Sequence, residues 1–374
     1  MEVETYHNFA VNGIFVHNSE EDIQGTQFCG KSGELLEEAL RKLGVDMRQD
    51  CWLTNALICR PPRNRTPTDK ELEYCLPNLV RCVKELQPEV IIPLGAKAVK
   101  ALIGWLWKSD VGAMGRWDGW RIPVQSINAW VCPTWHPAHI LRNGDEHKGR
   151  HGYGTDREQP LQKLFWEPRL KAAFELEGRP WKILPDYKGR IVSIIEPSDA
   201  GVLIREFFID KVKGPVAFDF ETNMLKPDSA DAEIMTCAIA NKDQAIAFPW
   251  HGEAIKAMRD LLFSSIPKIG FNIKFEERWL LKEFGQGVNN WIWDGMLATH
   301  TLDNRRGICG LEFQAFVLLG QAPWDSAVAP YLKSDRPNKP NRIREIDLRK
   351  LLEYNAMDAI LEFEVAKAQR RQFK

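Results

Sequence analysis

Three groups of side chains in this 374-residue sequence have types and spacings suited to chemistry. In GPVAFDFETN, Asp219 and Glu221 stand two apart inside an apolar run. Alternate residues of an extended strand share a face, so both carboxylates point one way, where they attract each other's protons or a divalent cation. An exposed acidic strand end is the plainer account, but it leaves the apolar flanks unexplained. In YNAMD, Tyr354 and Asp358 lie one helical turn apart and so on one helix face. Nearer the N-terminus, Cys59 and Cys75 flank a basic, Pro-rich loop between an apolar strand, CWLTNALI, and a helix that opens at Thr68 with Asp69 and Glu71 in its first turn. Such thiols can share one metal or cluster, or they are two core cysteines.

The elements that must position these groups alternate. Apolar periodicity predicts an amphipathic helix over residues 33–43, a helix over 70–86, a buried parallel strand over 89–95 and a further helix in AKAVKALIG. Another helix follows in LQKLFWEPRLKAAFELEG, where Pro168 is expected to break or kink it. Strand and helix in alternation imply an α/β sandwich. A connecting segment over 181–213 carries a strand, and a second α/β unit begins at Gly214.

Bulk properties bound the rest. The length suits two or three domains, and 44% hydrophobic residues allow sizeable cores. A net charge of −1 gives no global pull toward nucleic acid, so DNA contacts must come from local basic patches such as Arg60–Arg65 and Arg142–Arg157. No apolar run approaches a membrane span and no signal-peptide pattern is present, so a cytoplasmic chain without membrane partners is expected. Of eight cysteines, six precede residue 140 and none has CxxC spacing, which is no disulfide framework and fits a reducing compartment.

The stretch TNALICRPPRNRTPTDKELEYC resembles family 4 uracil-DNA glycosylases, the iron-sulfur branch of that superfamily, and the likeness continues through LGAKA at Leu94–Ala98 and TWHPAHILR at Thr134–Arg142. The resemblance implies that Phe28 stacks on an extruded uracil, that Asn55 reads its edge, and that His136 stabilises negative charge as the glycosidic bond breaks. It also implies that Cys59 and Cys75 are two of four ligands of a [4Fe-4S] cluster. The family's Gly-Glu-Ala-Pro-Gly loop and upstream CxxC pair do not occur in this sequence. An incomplete glycosylase site, and a sheet lacking its first strand with an apolar edge exposed, are therefore expected.

The motifs in the C-terminal half resemble those of DEDDy-type 3′-5′ exonucleases, which have ribonuclease H topology. Asp219 and Glu221 match the first motif. In KIGFNIKFEERWL, Asn272 and Phe275 match the second, with Glu276 where the family usually has Asp, and Tyr354 and Asp358 match the third. This implies that Asp219, Glu221, Glu276 and Asp358 hold Mg²⁺ or Mn²⁺ while Tyr354 orients water. Asp294 reads as a helix cap.

Residues 1–18 resemble the carboxyl end of an intein, on His7-Asn8-Phe9 and His17-Asn18-Ser19. In that chemistry Asn18 cyclises and cuts the chain, Ser19 is the receiving nucleophile, and His7 and His17 assist proton transfer. An ordinary edge hairpin turning at Asn12-Gly13 is the alternative. The resulting organisation is an intein remnant over 1–18, a uracil-DNA glycosylase-like α/β/α sandwich over 19–180, a connecting segment over 181–213 and a ribonuclease H-like exonuclease over 214–374. The partners expected are DNA and an upstream intein and glycosylase fragment. Two rival expectations are an exonuclease beside a non-catalytic, DNA-binding glycosylase-like module, and a splicing precursor inactive until ligated.

Overall fold

The computed structural model describes residues 8–12, 28–58, 61–62, 65–146, 161–324, 326–334, 336 and 339–373. The chain forms two compact units, one of Met1–Leu184 with Phe316–Ala322 and one of Pro185–Ala315 with Pro323–Lys374. No helix of the described residues is long and apolar enough to cross a membrane.

In the first unit, β1 (Asn8–Asn12), β2 (Cys51–Asn55), β3 (Val90–Ile91), β4 (Ile122–Val124) and β5 (Ala129–Val131) form a sheet in the order β2-β1-β3-β5-β4. All pairs are parallel except β4 with β5. Among the described residues β2 and β4 are the sheet's edges. Asn8–Asn12 lies between β2 and β3, parallel to both, with Asn8 opposite Cys51 and Asn12 opposite Asn55. Two strands with a gap between them leave rows of backbone donors and acceptors unpaired, and a short extended segment of the same chain satisfies them.

One core of this unit gathers Leu35, Leu36 and Leu40 from the helix Lys31–Arg41, Ile140 from the helix Pro137–Glu146, Trp166 and Leu170 from the helix Leu161–Phe174, and Val90 of β3. The last helix runs through Pro168 without the expected break. Proline removes the bond to the carbonyl four residues back, and that residue, Leu164, is exposed, so water can replace it. Helices Asp69–Leu86 and Ala96–Trp107 pack on each other. Thr68 caps the first of them: its hydroxyl accepts from Glu71 N, and the Glu71 carboxylate accepts from Thr68 N at 2.8 Å. The segment Phe316–Ala322 belongs here because Phe316 is buried against Trp107 and Trp117, and Gln125 Nε2 donates to Leu319 O at 2.7 Å.

The second unit is a mixed sheet of β6 (Ile191–Ser193), β7 (Val216–Thr222), β8 (Ile234–Ala240), β9 (Ala245–Pro249), β10 (Lys268–Gly270) and β11 (Trp291–Asp294), in the order β11-β10-β7-β8-β9-β6. β7, β8 and β9 are antiparallel neighbours, whereas β10 joins β7 and β11 in parallel, which is the ribonuclease H-like arrangement. The long helix Leu348–Gln372 lies along β6 to β10, and the helices Pro197–Leu203 and Glu253–Leu262 pack together. Alternation along β7 sends Phe218 and Phe220 into one core, where they meet each other edge-on, and Phe218 stacks on Trp291 with ring centroids 5.2 Å apart. Asp219 and Glu221 are left for the other face.

Phe218→Ala should therefore cost about 3–5 kcal/mol of stability, because the ring is fully buried and its cavity cannot collapse between sheet and helix. Urea denaturation followed by circular dichroism measures this, and a loss below about 1 kcal/mol would contradict the packing described.

Candidate active site

β7 carries Asp219 and Glu221, and the buried face of the helix Leu348–Gln372 carries Asp358. A carboxylate oxygen from each of the three lies within 4.8 Å of the others. Burial pushes the Asp219 carboxyl up to about 7, against the opposing pull of its bonds from Asn355 and from the Phe220 N–H. Burial first, then the Asp219 charge and after it that of Asp358, holds Glu221 well above the ordinary carboxylate range, and burial with the Asp219 charge does the same for Asp358. Tyr354 is hydrogen-bonded to Asp358, and burial, aided by the Asp358 charge, keeps its phenol protonated far above the usual tyrosine range.

Glu276 opens the helix Lys274–Phe284 and is 2% exposed, yet it is not one of the three clustered carboxylates. Burial and the Asp219 charge raise it too, and its Oε2 has no hydrogen-bond partner among the described residues. Asp294 behaves as the sequence suggests. Its Oδ1 accepts from Met296 N at 2.8 Å and Asn272 N at 3.1 Å, and its Oδ2 accepts from Ile273 N at 3.1 Å, which caps one helix and pins the turn leading to Glu276.

Two groups escaped the sequence reading. Asn355, fully buried beside Tyr354, donates from Nδ2 to Asp219 Oδ2 at 2.8 Å, and its Oδ1 accepts from Thr236 Oγ1 at 2.9 Å. This link orients Asp219 from the third motif. Its only sequence signal was its place next to Tyr354. Glu362, one turn beyond Asp358, is 3% exposed with an unpartnered Oε2 among the described residues. Its sequence signal was the four-residue step after Asp358. The converging carboxylate oxygens of Asp219, Glu221 and Asp358 are a hard oxygen donor set that fits a divalent cation such as Mg²⁺ or Mn²⁺.

In the first unit, Phe28 and His136 come together, their rings stacked with centroids 6.5 Å apart and planes at 19°. Both are held by glycine contacts. A Cβ on Gly33 would sit 2.0 Å from Phe28 O, and Gly95, at φ +85°, passes so near that a Cβ would lie 2.8 Å from His136 Cβ. His136 Nδ1 accepts from Ala138 N at 3.0 Å, which assigns the ring hydrogen to Nε2. Burial, reinforced by the Arg142 charge, lowers its pKa to about 3, so the imidazole is neutral at physiological pH. Asn55 ends β2. Cys75 is half-buried on the helix Asp69–Leu86. Cys59, His7, His17, Asn18 and Ser19 lie outside the described residues.

A family model described as the uracil DNA glycosylase superfamily matches residues 16–163, and one described as a 3'-5' exonuclease matches residues 203–373. The chain is 42% identical over 125 residues to a type-4 uracil-DNA glycosylase of Pyrobaculum aerophilum, covering 33% of this chain and 62% of that protein. It is 36% identical over 173 residues to the type-4 enzyme of Archaeoglobus fulgidus, covering 45% of this chain and 76% of that one. A DNA polymerase of Bacillus phage SP01 matches at 25% identity over 297 residues, 74% of this chain and 30% of the polymerase. The chain thus spans less than two thirds of some glycosylase relatives and about three quarters of another. Across its N-terminal part this chain belongs to the type-4 uracil-DNA glycosylase family, and a 3'-5' exonuclease domain follows.

Proposed function

We propose that this chain acts on DNA through two sites, a metal-dependent 3′-5′ exonuclease in its second unit and a uracil-recognising site in its first. The observation that carries the exonuclease reading is the close group of half-buried Asp219 with buried Glu221 and Asp358. These three, with Glu276 adjacent in charge, would hold Mg²⁺ or Mn²⁺, which supplies Lewis-acid stabilisation of the attacked phosphate and acidifies water. Tyr354, protonated and bonded to Asp358, orients the attacking water, and Asn355 keeps Asp219 turned into the site.

For the glycosylase-like unit, the stacked pair of Phe28 and His136 supports a base pocket. Phe28 would cover the flipped base, Asn55 would read its edge, and neutral His136 would donate Nε2–H to the charge developing on the departing uracil. Cys59 and Cys75 would be two ligands of a [4Fe-4S] cluster; the half-buried Cys75 thiol is compatible with this. We further propose that residues 1–18 are an intein remnant, on His7-Asn8-Phe9 and His17-Asn18-Ser19. The pairing of β1 with β2 and β3 favours a second reading, in which residues 8–12 are a structural strand of this unit.

Mixing the chain with a fragment that supplies the intein front and the Gly-Glu-Ala-Pro-Gly loop should yield a ligated product lacking residues 1–18, seen by mass spectrometry. That product, and not the chain before ligation, should release uracil from single-stranded DNA. Equal release before and after would refute a divided site, and no change in mass would refute the intein.

The chain should shorten DNA from its 3′ end, with the activity abolished by EDTA and by Asp219→Ala or Asp358→Ala. Full activity in Asp358→Ala would remove the assignment.

Raised carboxyl pKa values also set a pH dependence. The folded state binds protons that the unfolded chain, with carboxyl pKa values of about 4, releases, so this contribution is fully present below that value. It is lost as pH rises through the folded values, for Asp219 about 7. In EDTA the melting temperature of the exonuclease unit should therefore fall between pH 5 and pH 8, and Mn²⁺ should restore more of it at the alkaline end. A melting temperature that climbs across that window in EDTA would contradict the burial of these acids.

A further inference from the structure

Asp358 is held by a group outside the three exonuclease motifs. Trp324 Nε1 donates to Asp358 Oδ1 at 2.7 Å. The indole is half-buried and sits just ahead of the short helix Ala329–Leu332. Its surroundings are fixed at several points: Val328 is buried with Ile343 and Leu351, with Tyr354 packed against them, and Arg342 N donates to Tyr331 O at 2.9 Å. Asn341 Nδ2 donates to Leu332 O at 3.3 Å and to Thr222 O at the end of β7 at 3.0 Å. The segment is therefore anchored both to β7 and to the helix bearing Asp358.

A carboxylate turns about a broad, two-fold terminal torsion unless donors hold it, and Asp358 faces like charges that favour turning away. An indole N–H is a donor that never titrates in the physiological range and accepts nothing, so its partner must be an acceptor such as a carboxylate oxygen. With Oδ1 held by Trp324 and the same carboxylate bonded by Tyr354, the plane in which Asp358 meets Asp219 and Glu221 is set by neutral donors. We propose that Trp324 is a positioning residue of the exonuclease centre, its indole N–H fixing the orientation of Asp358 for a divalent cation. The inference rests on the metal-dependent reading of that site. It matches the general behaviour of groups behind metal ligands, whose loss typically costs 10- to 100-fold in metal affinity.

The test is calorimetric titration of the full chain with Mn²⁺, in parallel with 3′-exonuclease rates. Trp324→Phe keeps a ring and loses the donor, and should weaken Mn²⁺ binding about tenfold, whereas Trp324→His, which keeps a ring N–H, should bind within about threefold of the parent chain. Unchanged affinity in Trp324→Phe would overturn the proposal, as would equal weakening in both variants, which would mean that only packing matters. Should Trp324→Phe fail to fold, Trp324→His decides alone: near-parent affinity supports the role and a tenfold loss ends it. Failure of the parent chain to bind Mn²⁺ would instead sink the metal centre itself, and the proposal with it.

Discussion

Three carboxylate groups with oxygens within 4.8 Å of one another, two of them buried and the third half-buried between a strand and a helix, cannot all ionise without help. Each like charge in a low-dielectric site raises the proton affinity of the others, and desolvation raises all of them. The second unit is built around that constraint. Its sheet places apolar residues of β7 on one face, where Phe218 and Phe220 fill a core, and acids on the other, where the helix Leu348–Gln372 closes over them. The packing energy of the aromatic face offsets the cost of gathering charge on the acidic one.

Around the acids stands a set of neutral donors. Asn355 bonds Asp219 and is itself held by Thr236, and Trp324 and Tyr354 bond Asp358. Neutral donors orient a carboxylate without cancelling its charge, so the negative potential that would attract a cation survives. Asp294 shows the contrasting use of the same residue type. Its oxygens are saturated by backbone N–H groups, so it holds helix ends together instead of facing the site.

The first unit solves a different electrostatic problem. At His136, burial keeps the imidazole neutral and a backbone N–H on Nδ1 leaves the ring hydrogen on Nε2, so the ring is a neutral donor. Close glycine contacts at Gly95 and Gly33 bring the chain near enough for the His136 and Phe28 rings to stack. Asp118, bonded by Arg169 and by Thr134 Oγ1 at 3.1 Å, secures the start of the turn that carries His136.

Local periodicity and capping chemistry were enough to place much of this in the sequence. Two-residue alternation set Asp219 and Glu221 on one face, a four-residue step aligned Tyr354 with Asp358, and Thr68 with Glu71 announced the helix that follows the basic loop. Those rules act over a few residues and need no partner from elsewhere. The tertiary structure decided that Glu276 stands outside the three-carboxylate group, that Asn355 reaches Asp219 across 136 residues, and that Phe316–Ala322 return to the first unit. It also seated Asn8–Asn12 between β2 and β3. Each of these depends on contacts between segments far apart in the chain, chosen by burial and by the need to pair every backbone group, and no local spacing encodes such a choice.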